Sequence, residues 1–502
     1  MNFMNAVQKE LNSEKQLTEN GAVGYVTSGK KLLDINFKAS SLRNMNEDNI
    51  KSLFAEAYYE DPIMALKWLF FLRDVRGGMG ERRSFRICFD WLIDTRKEVA
   101  SAVVDLLPEY GRWDDLILLA DSKIEDKVVK IVKTQLEMDV MDKSLGKSVS
   151  LISKWLPRVN TSSDETVARA KRLASKLGMT EKEYRKLVSS LNKYIKTVEI
   201  DMSANKWGEI NYESVPSKAN LLYKDAFLKH DEVRRKEYLE SLKKGEIKIN
   251  AETLFPHDIV HKYSISCWEV FTTDETIEQL WKNLPDYVKG NNNTIVVADG
   301  SGSMCTKVSN TSVTCLEIAN ALAIYFSERA SGQFKDNYIT FSRHPKFVDF
   351  SNAKTLREKI RIALRHGENS NTDIEATFKL ILNAAINNHI SQEEMPTNIL
   401  VISDMEFDEG RNNCGKTLFE EIADEYAEYG YKLPRLIFWN ICSRTGTVPL
   451  QENDLGVALV SGFSPAIMNM VLSGELDPYK CLLEALNVER YRVIEERIKD
   501  II

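Results

Sequence analysis

An apolar, β-branched run, Thr294-Ile295-Val296-Val297-Ala298, stops abruptly at Asp299-Gly300-Ser301-Gly302-Ser303. A short run of this kind, bounded by turn residues, reads as a buried strand of a parallel sheet. The glycines allow a tight turn at its C-terminal end, where open α/β sheets present side chains to ligands. A carboxylate and two hydroxyls therefore share one loop, and such hard oxygen donors suit Mg²⁺. This turn marks off a metal-site domain. The region before it follows a different pattern.

From about residue 46 to 288 the apolar positions recur with a helical period. Asp61-Pro62 is an N-cap and first-turn signal. The run Ile63–Leu72 that follows is apolar nearly all round, as in a helix buried between neighbours. Gly77-Gly78-Met79-Gly80 ends it, and a second helix starts near Glu81. Further helices are expected at 98–107, 112–120, 124–139, 148–155, 165–177, 181–196, 218–229, 231–243, 256–262 and 274–288. Residues 201–217 lack a helical period and read as an ordered loop anchored by Trp207 and Tyr212. Paired helices with short turns suggest an α-solenoid of the HEAT type, with ring closure left open.

Beyond residue 291 strand and helix patterns alternate. Strands are expected at 294–299, 335–342, 346–350, 397–403, 435–441 and 456–461. Helices are expected at 314–330, 354–365, 373–388, 416–429 and 465–474. This is the pattern of a doubly wound α/β sheet. The second and third strands are too close for a helical crossover, so they form a hairpin that adds an edge strand. The division expected is 1–290 helical, 291–476 α/β and 477–502 a C-terminal helical tail, with Asn291-Asn292-Asn293 as the junction.

A second apolar strand, Asn398–Ser403, also ends in a carboxylate, Asp404. In a 3-2-1-4-5-6 strand order, strands 1 and 4 are neighbours, so Asp299 and Asp404 become adjacent. Asn371-Thr372-Asp373 opens a helix and supplies another hydroxyl on a loop. With these residues in place, 290–475 resembles a von Willebrand factor A domain and its metal-ion-dependent adhesion site. The resemblance implies that Ser301, Ser303 and Thr372 hold Mg²⁺ through hydroxyls, with Asp299 and Asp404 acting directly or through water. Two carboxylates leave the cation under-neutralised, and an acidic group from a protein partner could complete its shell.

Other chemistries have less support. An aspartyl phosphatase of the haloacid dehalogenase pattern wants a second Asp where Ser301 stands, and no general acid is evident. His257 and His261 share a helical face but have no third ligand, so a structural role is expected. There is no GxxxxGK[ST] and no strand-linked GxGxxG. Met405-Glu406-Phe407-Asp408-Glu409 is an acidic loop beside the metal residues, read as solvated. The seven cysteines are scattered without a CxxC pair, which suggests reduced thiols and a cytoplasmic setting. No leader is visible, and no run of roughly eighteen apolar residues suggests a membrane span.

The net charge of −7 is unevenly spread: residues 1–290 carry +1 and 291–502 carry −8. Within 141–200 there are 13 basic and 6 acidic residues, the best candidate for contact with phosphates. Arg73-Asp74-Val75-Arg76-Gly77-Gly78-Met79-Gly80-Glu81-Arg82-Arg83 gathers four arginines about a glycine turn. Read alone, it is a helix hairpin whose arginines pair with nearby acids. The longer run Leu69–Arg82, however, resembles the equivalent turn of the TROVE module of the Ro ribonucleoprotein autoantigen, where HEAT-like repeats precede a von Willebrand A domain. A closer resemblance is to an uncharacterised TROVE-related family of viruses, bacteria and plants. It is carried by Tyr110–Leu116, Trp207 with Val215–Lys218, Phe255-Pro256-His257, Phe438-Trp439-Asn440 and Ser461–Ser464.

These resemblances imply a non-enzymatic RNA-binding protein, with structured or single-stranded small RNA as partner. The candidate contacts are Arg73, Arg76, Arg82, Arg83, Lys154, Arg158, Arg169, Lys171 and Arg172, within the wider set of cations in 141–200. The competing class is a metal-dependent protein-interaction adaptor without an RNA role.

Overall fold

The computed structural model describes residues 15–18, 23–266, 269–270, 273–288, 293–308, 311–341, 344–367, 373–406, 418–443, 457–465, 467 and 477–502. They form two compact units. One takes in residues up to Trp68, Gly77–Met79 and Ala251–Val488. The other takes in Leu69–Arg76, Gly80–Asn250 and Glu489–Ile502. The chain is thus a helical N-terminal region followed by a six-stranded mixed sheet with flanking helices.

The helical unit begins within α1 (Pro62–Arg73), whose start is capped where Asp61 accepts from the Met64 N–H at 3.0 Å. Phe70 of α1 lies against Phe85 of α2 (Arg83–Thr95) and against Tyr110, with ring centroids 6.3 and 5.1 Å apart. The long α3 (Glu125–Ser144) is followed by α4 (Asp164–Lys176) and α5 (Glu181–Ile195). Thr180 and Glu183 form a reciprocal capping box at the start of α5. The expected loop at 201–217 contains a short helix, Val198–Ser203, at its entry and two single 3₁₀ turns at 207–209 and 212–214. Its anchors hold as read. Tyr212 is buried and donates to Asp231 at 2.9 Å, and Trp207 stacks on His230 with centroids 4.4 Å apart.

Buried charges fix this unit. The Arg73 side chain is 2% exposed and donates from Nε to Asp115 Oδ2 at 2.8 Å. Arg86 holds the other Asp115 oxygen at 2.7 Å, and the Arg112 N–H adds a third bond at 3.1 Å. Gly111 has to be glycine for this arrangement. A Cβ there would meet Asp115 Oδ2 at 2.6 Å and Arg73 Nε at 2.8 Å. One residue on, Asp74 is wholly buried. It accepts from both Arg490 Nε and NH2, the latter at 2.9 Å, from Tyr491 OH at 2.9 Å and from the Arg76 N–H at 3.0 Å. The helix Glu489–Ile498 that carries Arg490 is therefore part of the helical unit.

In the sheet unit, β1 (Thr294–Asp299), β2 (Asn337–Phe341), β3 (Lys346–Asp349), β4 (Asn398–Ser403), β5 (Arg435–Asn440) and β6 (Val457–Ser461) lie in the order β3-β2-β1-β4-β5-β6. All neighbours are parallel except β2 and β3, which form the expected hairpin. Every residue of β5 is buried, as a central strand covered on both faces should be. Helix α6 (Cys315–Arg329) starts at a Thr314–Glu317 capping box and is buried from Cys315 to Ser327. The motifs at 438–440 and 461–464 tie the N-terminal segment to this sheet. Asn440 Nδ2 donates to Phe37 O at 2.8 Å, Ser40 N donates to Ser461 Oγ at 2.9 Å, and the Arg43 guanidinium lies 4.1 Å from the Phe463 ring centre. Most of the helix expected at 465–474 lies outside the described residues, as do Asn291 and Asn292.

Burial alone would raise the Asp74 pKa, but the hydrogen bonds and charge of Arg490 bring the carboxyl below its usual value of 3.8. A carboxyl depressed by folding contributes stability above its unfolded pKa and loses it as pH falls through the folded one. Asp74→Asn is expected to cost about 3 kcal/mol at neutral pH. In urea unfolding followed by circular dichroism, the gap between variant and wild type should close as pH drops below 3.8; a gap independent of pH would contradict the ion pair.

Candidate metal centre and basic face

The parallel register Ala298↔Ile402 sets the C-terminal ends of β1 and β4 side by side. Asp299 and Asp404 both emerge there, 1% and 2% exposed. Asp299 Oδ1 accepts from the Ser301 N–H at 2.9 Å, which folds the turn back on the strand. Its Oδ2 accepts from Ser403 Oγ at 2.7 Å. The Ser301 and Ser303 hydroxyls are 2.9 Å apart. Burial, and then the Asp404 charge, push the Asp299 carboxyl well above the usual carboxylate range. Two buried carboxylates this close repel each other unless a proton or cation intervenes.

The donor set is all hard oxygen and fits a small divalent cation. Asp299, Ser301, Ser303 and Asp404 come together, and these residues could hold Mg²⁺. Thr372 and the loop before it, 368–371, lie outside the described residues. So do Phe407, Asp408 and Glu409 of the acidic loop. Glu406 is buried rather than solvated and accepts from Ser443 Oγ at 3.1 Å. Among the described residues no three His, Cys, Asp or Glu side chains gather at metal-holding distance. His261 lies between Glu317 and Ser312, 2.9 Å from each, and His257 is packed between Phe255 and Phe463. Sequence reading missed Ser403, although the β1–β4 register sets it beside Asp299.

The candidate RNA contacts fall into different settings. Arg73 is internal and belongs to Asp115. Arg82 pairs with Asp114 at 2.8 Å. Arg76 is exposed and donates to Glu109 O at 3.0 Å, and Arg83 is exposed. Arg169 pairs with Glu165 at 2.9 Å, Lys171 with Glu181 at 3.2 Å and Arg172 with Asp121 at 2.9 Å. Lys154 lies 3.9 Å from Glu199. Arg158 is exposed with no carboxylate partner among the described residues.

Three cations not singled out individually share its situation. Arg185, Lys186 and Lys193 of α5 are exposed and likewise unpaired among the described residues. They surround, with Arg158, a cavity of about 740 Å³ that no carboxylate lines. Helical spacing could have found them: 185, 186, 189 and 193 share one face of α5, opposite the buried Tyr184, Val188 and Leu191.

The molecule is a helical domain joined to an α/β sheet with a paired-carboxylate, paired-serine site at its strand ends. Residues 18–135 and 114–293 match the model of a family described as a domain of unknown function (DUF2828), and residues 293–495 match another domain of unknown function (DUF7788). The first covers more than half of the chain, which belongs to the DUF2828 family. It is 27% identical over 509 residues to the uncharacterized protein L728 of Acanthamoeba polyphaga mimivirus, covering 93% of this chain and 86% of that protein. Among solved structures it has a likeness to the RO (RSR) protein of Deinococcus radiodurans, with 12% identity and a TM-score of 0.35, over 88% of this chain and 92% of that one. No described helix is long and apolar enough to cross a membrane.

A cation held by the four oxygen-bearing residues should stabilise the sheet unit. Mg²⁺ at about 100 times its Kd is expected to add about 2.7 kcal/mol. Calorimetric unfolding with Mg²⁺ and with EDTA reads this directly. The upward shift should vanish in Asp299→Ala, and no shift in the wild type would remove the metal from the site.

Proposed function

We propose that this protein is a non-enzymatic RNA-binding protein of the Ro ribonucleoprotein type. The observation that carries the reading is the group of four exposed cations, Arg158, Arg185, Lys186 and Lys193, left without carboxylate partners among the described residues of the helical unit. Elsewhere on the same stretch, Arg169, Lys171, Arg172 and Lys176 are all paired with acids. Unpaired cations around a recess suit a phosphate backbone, whose counterions they release. The motif resemblance to TROVE-related proteins supports the same reading. The sheet unit's oxygen cluster would bind Mg²⁺, holding the strand-end loops or taking an acidic group from a protein partner. The proposed setting is the cytoplasm.

Four phosphate contacts with a single strand predict a salt slope of about −3 in log K against log salt. Fluorescence anisotropy with a labelled single-stranded RNA should show it. Arg185→Ser with Lys186→Ser should flatten the slope by about 1.4 and weaken binding at low salt. Asp299→Ala should leave RNA affinity unchanged. Failure of the wild type to bind RNA at low salt would overturn the reading. A protein ligand that needs Mg²⁺ and is lost in Asp299→Ala would favour the adaptor instead.

A further inference from the structure

The cavity beside α5 has an interior as well as a charged rim. Arg158, Arg185, Lys186 and Lys193 are exposed, whereas Tyr184, Val188 and Asn192 are buried. Its walls are fixed by bonds within the helical unit. Tyr184 OH donates to Pro157 O at 2.9 Å, which holds the loop bearing Arg158 against α5. Asn192 Nδ2 donates to Ser153 O at 2.8 Å. That bond also fixes the orientation of the amide, because only the nitrogen can donate to a carbonyl. The Asn192 oxygen therefore faces away from Ser153, and it has no partner among the described residues.

From this geometry we infer that the cavity takes one nucleotide unit, with its phosphate at the cationic rim and its base in the recess. An inorganic anion would use the rim and leave the recess to water. A volume of 740 Å³ falls in the range of small-ligand sites, about 300–1,000 Å³. The apolar wall of Val188 suits a flat ring, and the Asn192 oxygen can accept from a base N–H. A stacked duplex base cannot enter a recess behind a rim, so the unit has to be unpaired. Pre-formed walls lower the ordering cost of binding. The inference rests on the RNA reading only for the source of the nucleotide. The same chemistry would serve a free nucleotide.

Isothermal titration of the full chain with adenosine 5′-monophosphate, adenosine and inorganic pyrophosphate separates the possibilities. The monophosphate is expected to bind at least about tenfold tighter than adenosine or pyrophosphate. Ser189→Trp, which fills the cavity from an exposed position on α5, should abolish that binding without lowering the unfolding temperature. Arg185→Ser with Lys186→Ser should weaken it about tenfold. Pyrophosphate binding as tightly as the monophosphate would overturn the nucleotide site and leave a plain anion patch. Absence of monophosphate binding, or binding untouched by Ser189→Trp, would overturn it also, even if single-stranded RNA still binds. Monophosphate binding without binding of single-stranded RNA would uphold the site and overturn the RNA reading.

Discussion

A charge removed from water has to be matched by another charge, by hydrogen bonds or by an ion. That constraint organises both units. In the helical unit it is met internally. Arg73 and Arg86 share Asp115, and Arg490 holds Asp74. In the sheet unit it is met differently at the strand ends. Asp299 has hydrogen bonds from Ser301 and Ser403 but no ion pair among the described residues, and the charge of another carboxylate, Asp404, acts on it. The first solution closes a core. The second leaves Asp299 to hydrogen bonds alone among the described residues.

The same constraint sorts the cations that face solvent. All four basic residues in 164–176 have a carboxylate within reach, so their charge is already neutralised locally. The face of α5 has no such acids, and its field is open to a ligand. A basic count along the chain reports neither case by itself. What matters is how the acids of other elements, such as Asp121 beside Arg172, are brought to the same surface.

Much of the sheet unit was legible in the residues because its signals are local. Strand ends at Asp299 and Ser403 follow from apolar runs halted by polar turns, and the hairpin of β2 and β3 follows from too short a connection. The strand order then brings Asp299 and Asp404 together without further information. The helical unit was legible in its helices but less so in its charges. Arg73 and Arg82 look like surface arginines on a glycine turn. Their fate depends on Asp114 and Asp115, some thirty to forty positions away, and no periodicity reports that pairing. Tyr110–Leu116 was recognisable as a motif, yet its physical reason appears only with Gly111 pressed against the ion pair. Thr372, expected as a metal ligand, lies outside the described residues.

The bond between Asp74 and Arg490 spans 416 positions of chain. A ribosome adding about 5–20 residues per second needs roughly 20–80 s to travel that far. Throughout this interval the nascent helical unit exists with Asp74 and Tyr110 lacking the partners that the helix Glu489–Ile498 brings. Completion of the helical unit therefore waits for a helix made only after the whole sheet, which closes the shell of Asp74 at the end of α1. Cells producing this protein have to shelter an unlatched helical unit for as long as the sheet takes to be synthesised.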